Sequence, residues 1–451
     1  MYASRRKFVK DVALATAGLA MFNPGSLLAA PADRKLRLGF IGTGMRGLGH
    51  LAMALARPDT EVVAICDIDP KMLQLANDTF KKAGKPVAKV FTGDNYSYRK
   101  LLELKDVDAI VIATPWEWHA PMIIDALDAG IKYVGTEVIL GLTLQEHWDV
   151  VKAAERNKGH VMMLENVCYR RDVMAVLNMV RQGIFGEIIH LQGGYQHDLR
   201  GIKFNDGSGH GDGAEFGDKA FSEAKWRTNH SLHRNGDLYP THGIGPVAMM
   251  IDINRGNRFL SLSSFSSKAR GLHNYIVKKG GENHPNAKLR WKLGDVVTTS
   301  INCANGETIL LQHDTDLPRP YSLGFRVQGT NGLWMDVNKS IYVEGVSKDD
   351  EWDNAQQWFD KYDHPLWQKY SKDAAGAGHG GMDWFVLHAF IESAKRNLPT
   401  PMDVYDAAAW SAITPLSESS IELGNQIVDF PDFTEGQWMY RKNDFALTND
   451  F

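Results

Sequence analysis

The stretch LRLGFIGTGMRGLGHLAMALA, Leu36 to Ala56, constrains the fold more than any other part of this chain. LRLGFI is a nearly continuous apolar run that ends at a glycine, Gly42, the pattern of a strand buried on both faces. It leads directly into Gly42-Thr43-Gly44-Met45-Arg46-Gly47, which fits GxGxxG, and then into an apolar-periodic stretch, Leu48 to Ala56, that reads as a helix. In such a strand–turn–helix the first glycine permits the tight turn, and the second lets backbone approach a pyrophosphate. The third lets the helix pack closely, and the helix N-terminus offers N–H donors to the anion. Asp67, twenty residues after Gly47, ends a second strand, Glu61 to Cys66. A carboxylate there accepts from both ribose hydroxyls and repels a 2′-phosphate, and Ile68-Asp69-Pro70 brings no arginine to neutralise one. The expected cofactor is NAD.

Strand and helix go on alternating. VDAIVIA (Val107 to Ala113), Ile131 to Val134 and His160 to Leu164 read as strands, with a helix over Pro121 to Ala129. This is the rhythm of a doubly wound parallel sheet. Past Asn166 the pattern changes. A helix over Asp172 to Gln182 leads to a strand-like Glu187 to Tyr195, then to a Gly/Asp/His-rich loop, Gly201 to Asp218. Strand-like runs separated by turn residues fill Phe259 to Val343, an antiparallel signature, and helices return at Met382 to Lys395 and Val404 to Gly424. The expected fold class is therefore α/β. An N-terminal Rossmann domain, residues 33–165, precedes a second α/β domain, residues 166–451, with a large, mostly antiparallel open sheet and C-terminal helices.

Residues 1–32 read as an address rather than as structure. Ser4-Arg5-Arg6-Lys7-Phe8-Val9-Lys10 resembles the twin-arginine motif of bacterial export signals. A weakly apolar run, Val12 to Phe22, follows, and then Leu28-Ala29-Ala30-Pro31-Ala32 with small residues suited to cleavage. The apolar run is too short for a stable membrane span. The expectation is passage through the twin-arginine machinery, already folded around its cofactor, to the periplasm or beyond. A net charge of −4 and dispersed basic residues exclude a nucleic-acid footprint. Cys66, Cys168 and Cys303 stand far apart in apolar contexts and read as buried hydrophobes. His230 and His233, at i and i+3, raise the question of a metal. The surrounding Arg227, Asn229 and Arg234 suit an anion or a sugar better, and no metal is expected.

Pro115-Trp116-Glu117-Trp118-His119 and Thr136-Glu137-Val138 each follow a strand, where strand ends of such a fold meet the ligand crevice. A pair of tryptophans in a loop is costly to expose and is expected to cover a ring or a partner surface. This layout resembles the Gfo/Idh/MocA oxidoreductases, in which Glu-Lys-Pro after the fourth strand carries a proton-transfer lysine. Here the stretch is Glu137-Val138-Ile139, without the lysine, and Leu238 stands four residues before His242 where an aspartate would be expected. WEWHAPM (Trp116 to Met122), GTEV (Gly135 to Val138), MMLENVCYRR (Met162 to Arg171), KWRTNHS (Lys225 to Ser231) and GDLYPTHGIGPV (Gly236 to Val247) together resemble glycoside hydrolase family 109, NAD-dependent α-N-acetylgalactosaminidases. The resemblance implies that, besides Gly42, Gly44 and Gly47, NAD touches Met45, Arg46, Asp67, Trp116, Glu117, Trp118, His119, Glu137, Val138 and Asn166. It implies that the sugar meets Tyr195, Arg227, Tyr239, Pro240, Thr241, His242 and Tyr321, and that open sheets pair into a homodimer.

An ordinary glycosidase needs two opposed carboxylates, and none announce themselves. A bound nicotinamide permits another route to terminal α-N-acetylgalactosaminides. It runs through transient oxidation at C3, elimination across C1–C2, water addition and re-reduction, with the cofactor unchanged at the end of each cycle. That route needs a base at O3, a base at C2 and an acid or water activator at C1. His242 is the first candidate because imidazole titrates near working pH and because the resemblance at Tyr239 to His242 places it at the sugar, and Tyr239, three residues earlier, shares or orients its proton. Arg227 would hold a sugar oxygen or the acetamido carbonyl, and Tyr195 and Tyr321 would stack or hydrogen-bond along the ring. The alternative reading is a periplasmic NAD-containing sugar oxidoreductase of the same fold.

Overall fold

The computed structural model describes residues 34–207 and 213–451; the twin-arginine stretch, and all but the ends of the Gly207 to Gly213 run, lie outside the described residues. Six strands form the first sheet: β1 (Leu36–Ile41), β2 (Thr60–Cys66), β3 (Lys89–Phe91), β4 (Ala109–Ile112), β5 (Tyr133–Thr136) and β6 (His160–Met163). All neighbours are parallel, in the order β3-β2-β1-β4-β5-β6. Because β1 pairs with β2 on one side and β4 on the other, consecutive crossovers diverge there and open a crevice beyond the strand ends. β4 is buried throughout and β1 nearly so, which is why both read as unbroken apolar runs. β3 is three largely exposed residues, too short to carry a period, and the sequence reading has no strand there.

Two expectations are corrected. The stretch Gly201 to Asp218 is not loop at its ends, where Arg200–Lys203 is a short helix and Gly217–Lys219 a 3₁₀ turn. Trp116 to His119 do not form a loop; they begin a helix, Trp116–Asp128, that runs through Pro121. The sequence reading starts the helix at Pro121 because proline favours the first helical position. Here Pro115 caps the helix instead, and Pro121 removes a single backbone donor from its second turn.

The second sheet has nine strands: β7 (Ile188–Gln196), β8 (Phe259–Ser266), β9 (Val297–Cys303), β10 (Thr308–Asp314), β11 (Arg326–Gly329), β12 (Gly332–Met335), β13 (Ser340–Val343), β14 (Asp353–Asn354) and β15 (Val428–Asp429). Their order is β14-β13-β12-β11-β7-β10-β9-β8-β15, antiparallel except for the β7–β10 pair. β9 alternates between buried and exposed residues, as a strand covered on one face should. The covered face packs on a helix, Thr241–Met250, that is buried nearly all round. Gly193 and Gly194 of β7 let the first turn of that helix come down onto the sheet, since a Cβ on Gly243 would lie 2.6 Å from the Gly194 Cα.

The helices Met382–Arg396 and Val404–Glu422 turn back to the first sheet. Phe390 lies against Gly135 of β5, Met163 N–H donates to the Met402 carbonyl at 3.1 Å, and Leu140 N–H donates to Ser411 Oγ at 2.9 Å. Residues 382–422 thus help cover the Rossmann sheet although they follow the second domain in sequence. The three cysteines are buried and unpaired. Among the described residues no helix is long and apolar enough to cross a membrane.

Candidate functional site

A cleft of about 450 Å³ lies beyond the ends of β1, β2 and β4, within the size range of ligand sites. Its floor is the glycine turn. Gly42 has φ +88°, and a Cβ there would meet the Ala113 carbonyl oxygen at 2.5 Å. A Cβ on Gly47 would run into the Gly42 carbonyl, so this glycine serves packing rather than the ligand. Gly44 faces open space and caps the helix Met45–Ala56, whose first turn has no side-chain cap and no acidic residue. The free N–H groups of that turn fit a pyrophosphate. Asp67 Oδ2 accepts from Thr43 N–H at 2.7 Å and from Thr43 Oγ1 at 3.0 Å, tying the turn to the end of β2 at the cleft wall. Backbone cradle and strand-end carboxylate together fit a nicotinamide dinucleotide.

Arg46 joins three parts of the chain. Its guanidinium lies 3.0 Å from Glu137 and 3.0 Å from Asp383, and Asn166 Nδ2 donates to the other Asp383 oxygen at 2.5 Å. His50 Nε2 lies 2.6 Å from Glu137, and His379 Nδ1 lies 2.7 Å from Asp383. Burial alone would raise the Glu137 carboxyl, but Arg46 and His50 outweigh it and hold it down at about 2. Asp383 is depressed likewise: His379 and Arg46 outweigh its burial. Arg46 stays cationic, the two carboxylates outweighing its own burial. Val138, where relatives with Glu-Lys-Pro carry lysine, is a buried apolar part of the cleft wall, joined to Ile139 by a cis peptide.

At the far end the lining passes to aromatic residues. Trp116 is buried among Tyr239, Trp226 and His230, and the Arg227 guanidinium stands over both the Trp116 ring at 5.2 Å and the Tyr239 ring at 4.8 Å. Glu223 accepts from Arg227 at 2.5 Å. Tyr195 packs on Tyr239 with ring centroids 4.7 Å apart, its hydroxyl is 3.2 Å from His197 Nδ1, and His197 meets the half-exposed Tyr321 edge-on. The His242 ring touches Tyr195 and Tyr239, while its Nδ1 lies 2.7 and 2.8 Å from the two oxygens of Glu165. Glu165 is wholly buried and also accepts from Val167 N–H. With Nδ1–H committed to that carboxylate, Nε2 is the nitrogen left to take a proton. Burial drives the Tyr239 phenol well above its ordinary pKa and raises Tyr195 too, so both remain hydroxyl donors.

Of the residues expected from the sequence, Gly42, Gly44, Met45, Arg46, Asp67, Trp116, Trp118, His119, Glu137, Val138, Arg227 and Tyr239 line the cleft directly. Tyr195, His242 and Tyr321 join it through ring contacts, and Asn166 through Asp383. Glu117 instead faces His230 at 3.6 Å, and Pro240 and Thr241 are buried at the start of the Thr241–Met250 helix. His119 offers its ring but not its nitrogens, which lie 2.6 and 2.8 Å from the Ile139 and Thr114 carbonyls. Its burial lowers the ring pKa, so it acts as a brace. Sequence reasoning misses Glu165, His50, Asp383 and His379. Glu165 sits inside the MMLENVCYRR block, and Asp383 closes a glycine-rich run, Gly378 to Asp383, that signals a special turn before a helix. Among the described residues no cluster of three His, Cys, Asp or Glu is placed to hold a metal ion.

Comparison with known proteins places this geometry. Residues 36–165 match the family model described as oxidoreductase family, NAD-binding Rossmann fold, and residues 169–440 match that of glycosyl hydrolase 109, C-terminal domain. A levoglucosan dehydrogenase solved in complex with NADH shares the fold, with a TM-score of 0.65 at 22% identity over 88% of this chain and 100% of that one. The chain therefore has the architecture of the NAD-binding oxidoreductases of the Gfo/Idh/MocA type. A glycosyl hydrolase family 109 protein of Stenotrophomonas maltophilia (strain K279a) is 56% identical over 99% of both chains. An alpha-N-acetylgalactosaminidase of Tannerella forsythia is 51% identical over 99% of this chain and 100% of its own. The chain belongs to glycosyl hydrolase family 109.

Proposed function

We propose that the chain hydrolyses terminal α-N-acetylgalactosaminides through a redox-neutral cycle with NAD held throughout. The observation that carries this is the His242–Glu165 pair beside Tyr239 and Arg227, at the end of a dinucleotide cleft. The name of the Tannerella relative supports the sugar. The carboxylates nearest that end do not serve as an ordinary glycosidase pair: Glu137 is ion-paired to Arg46 and held at about 2, Glu223 is ion-paired to Arg227, and the buried Glu165 is spent on His242. The chemistry NAD supplies when bound is reversible hydride transfer at C3 of the sugar. His242, through Nε2, removes and returns the proton of the reacting carbon or hydroxyl. The buried Glu165 stabilises the imidazolium so formed. Tyr239 and Tyr195 donate hydrogen bonds to sugar oxygens, and Arg227, held rigid between two rings and Glu223, binds one oxygen or the acetamido carbonyl.

A nitrophenyl α-N-acetylgalactosaminide incubated in deuterated water with the protein, purified without added NAD, tests this. Released nitrophenol with deuterium at C2 of the freed sugar supports the elimination route. Bound NADH with oxidised sugar and no release would favour a sugar oxidoreductase instead.

The proposal includes export by the twin-arginine route, supported by SRRKFVK and the apolar run after it. It also includes a homodimer through the half-exposed sheet face that carries Gln192, Ser300 and Gln312. Cell fractionation and sedimentation of the purified chain test these two parts.

A further inference from the structure

The second domain sends one short segment across the dinucleotide cleft. Ser222–Lys225 is a single 3₁₀ turn. Ser222, Lys225 and Trp226 line one wall of the cleft, opposite Asp67, Asp69 and Asn95 on the Rossmann wall. The segment is fastened at both ends. At the adenosine end, Lys225 Nζ lies 2.5 Å from Asp69 Oδ2, 156 positions away, and the Lys71 ammonium stands 5.9 Å from the Phe221 ring. At the other end Trp226 meets Trp116 edge-on at 5.1 Å, and His230 is 3.6 Å from Glu117. Ser222 enters the turn at φ +54°, a left-handed conformation that a serine keeps only where its surroundings hold it.

We infer that the turn Ser222–Lys225 is the outer wall of the adenosine end of the dinucleotide site, and that opening of the Lys225–Asp69 ion pair sets how fast NAD leaves. This rests on the chain holding NAD as proposed above. A nucleotide lying between Asp67 and the turn departs only when the turn swings away, and among the described residues the pair is the one ion pair between the two walls at that end, with the Lys71 ammonium over the Phe221 ring beside it. The pair is part-exposed, with side-chain accessibilities of 40% for Lys225 and 17% for Asp69, so it opens more readily than a buried one and is screened by salt. The clasp reconciles two demands: cofactor retained through many turnovers, and a cleft into which NAD loads before export.

The test follows nucleotide rather than turnover. Holoenzyme purified without added NAD is denatured in part to assay NAD in the supernatant. The rest is mixed with an excess of isotopically labelled NAD, and the bound nucleotide is sampled over time by mass spectrometry. Lys225→Met exchanges about fivefold faster than wild type, the scale of a part-exposed ion pair. Added salt speeds wild type but not Lys225→Met. Equal exchange rates at equal NAD content overturn the clasp. So does a Lys225→Met chain that only melts earlier in its nucleotide-free form, because the turn then serves the fold alone. A wild-type chain that carries no NAD and takes none up overturns the proposed function together with the clasp.

Discussion

Glu165 receives the Nδ1–H of His242 at 2.7 Å from the end of a Rossmann strand, across the boundary between the two sheets. The imidazole belongs to the helix that lies on the second sheet, and its carboxylate partner to the first. In the proposed cycle, proton transfer at the sugar depends on the two layers keeping register to a fraction of an ångström.

Glu165→Gln replaces an acceptor-only carboxylate by an amide that can donate to Nδ1 and reverse the ring tautomer. We expect kcat on the nitrophenyl glycoside to fall about a thousandfold with NAD content unchanged, the scale of a positioned acid–base group. Full activity with bound NAD would remove Glu165 from the mechanism.

Glu137 carries an acid dependence of stability. Its folded pKa, about 2, lies below the ordinary 4.5, so its contribution is fully present above pH 4.5 and is lost as the pH falls through 2. Glu137→Gln should lower the unfolding free energy at pH 7 by on the order of 3 kcal/mol, the scale of that shift, since the neutral amide no longer answers the charge of Arg46, which keeps only Asp383. It should also flatten the acid limb between pH 4.5 and 2. Urea titrations at a series of pH values measure both, and an unchanged acid limb would contradict the assignment.

Gly243→Ala puts a methyl group 2.6 Å from the Gly194 Cα, where backbone and not a flexible side chain must give way. Overpacking of this kind costs about 1–3 kcal/mol. Because His242 is the neighbouring residue, the helix cannot lift without carrying the imidazole off Glu165. Denaturant unfolding and kcat should therefore fall together. A stable variant with wild-type kcat would show that the contact is slack.

Arg227→Lys keeps the charge and loses the plane that stacks over Trp116 and Tyr239. KM should rise about tenfold while kcat changes less, the pattern of lost ground-state binding. The reverse split, with kcat falling and KM intact, would place Arg227 on the reacting centre.

The glycine turn, Asp67 and the long strands are legible in the sequence because their requirements are local: a positive φ at Gly42, a period of two in β9, an apolar run in β4. The helix at Trp116 is misplaced because Pro121 imitates a start signal. Glu165, His50, Asp383 and Lys225 escape for a different reason. Each acts on a residue far along the chain, such as Asp383 on Arg46, 337 positions away, and no spacing rule reaches that far. Val138 in place of a lysine marks a missing proton carrier, but only the folded chain brings His242 and Glu165 together.

The late helices that cover the first sheet also order events on the ribosome. When residues 36–165 have emerged, Phe390 is not yet there to lie against Gly135, and Asp383 is not yet there to hold Arg46. The nucleotide domain, translated first, is therefore among the last parts to be finished, and a chain truncated before residue 382 would lack the far half of its Arg46 clamp.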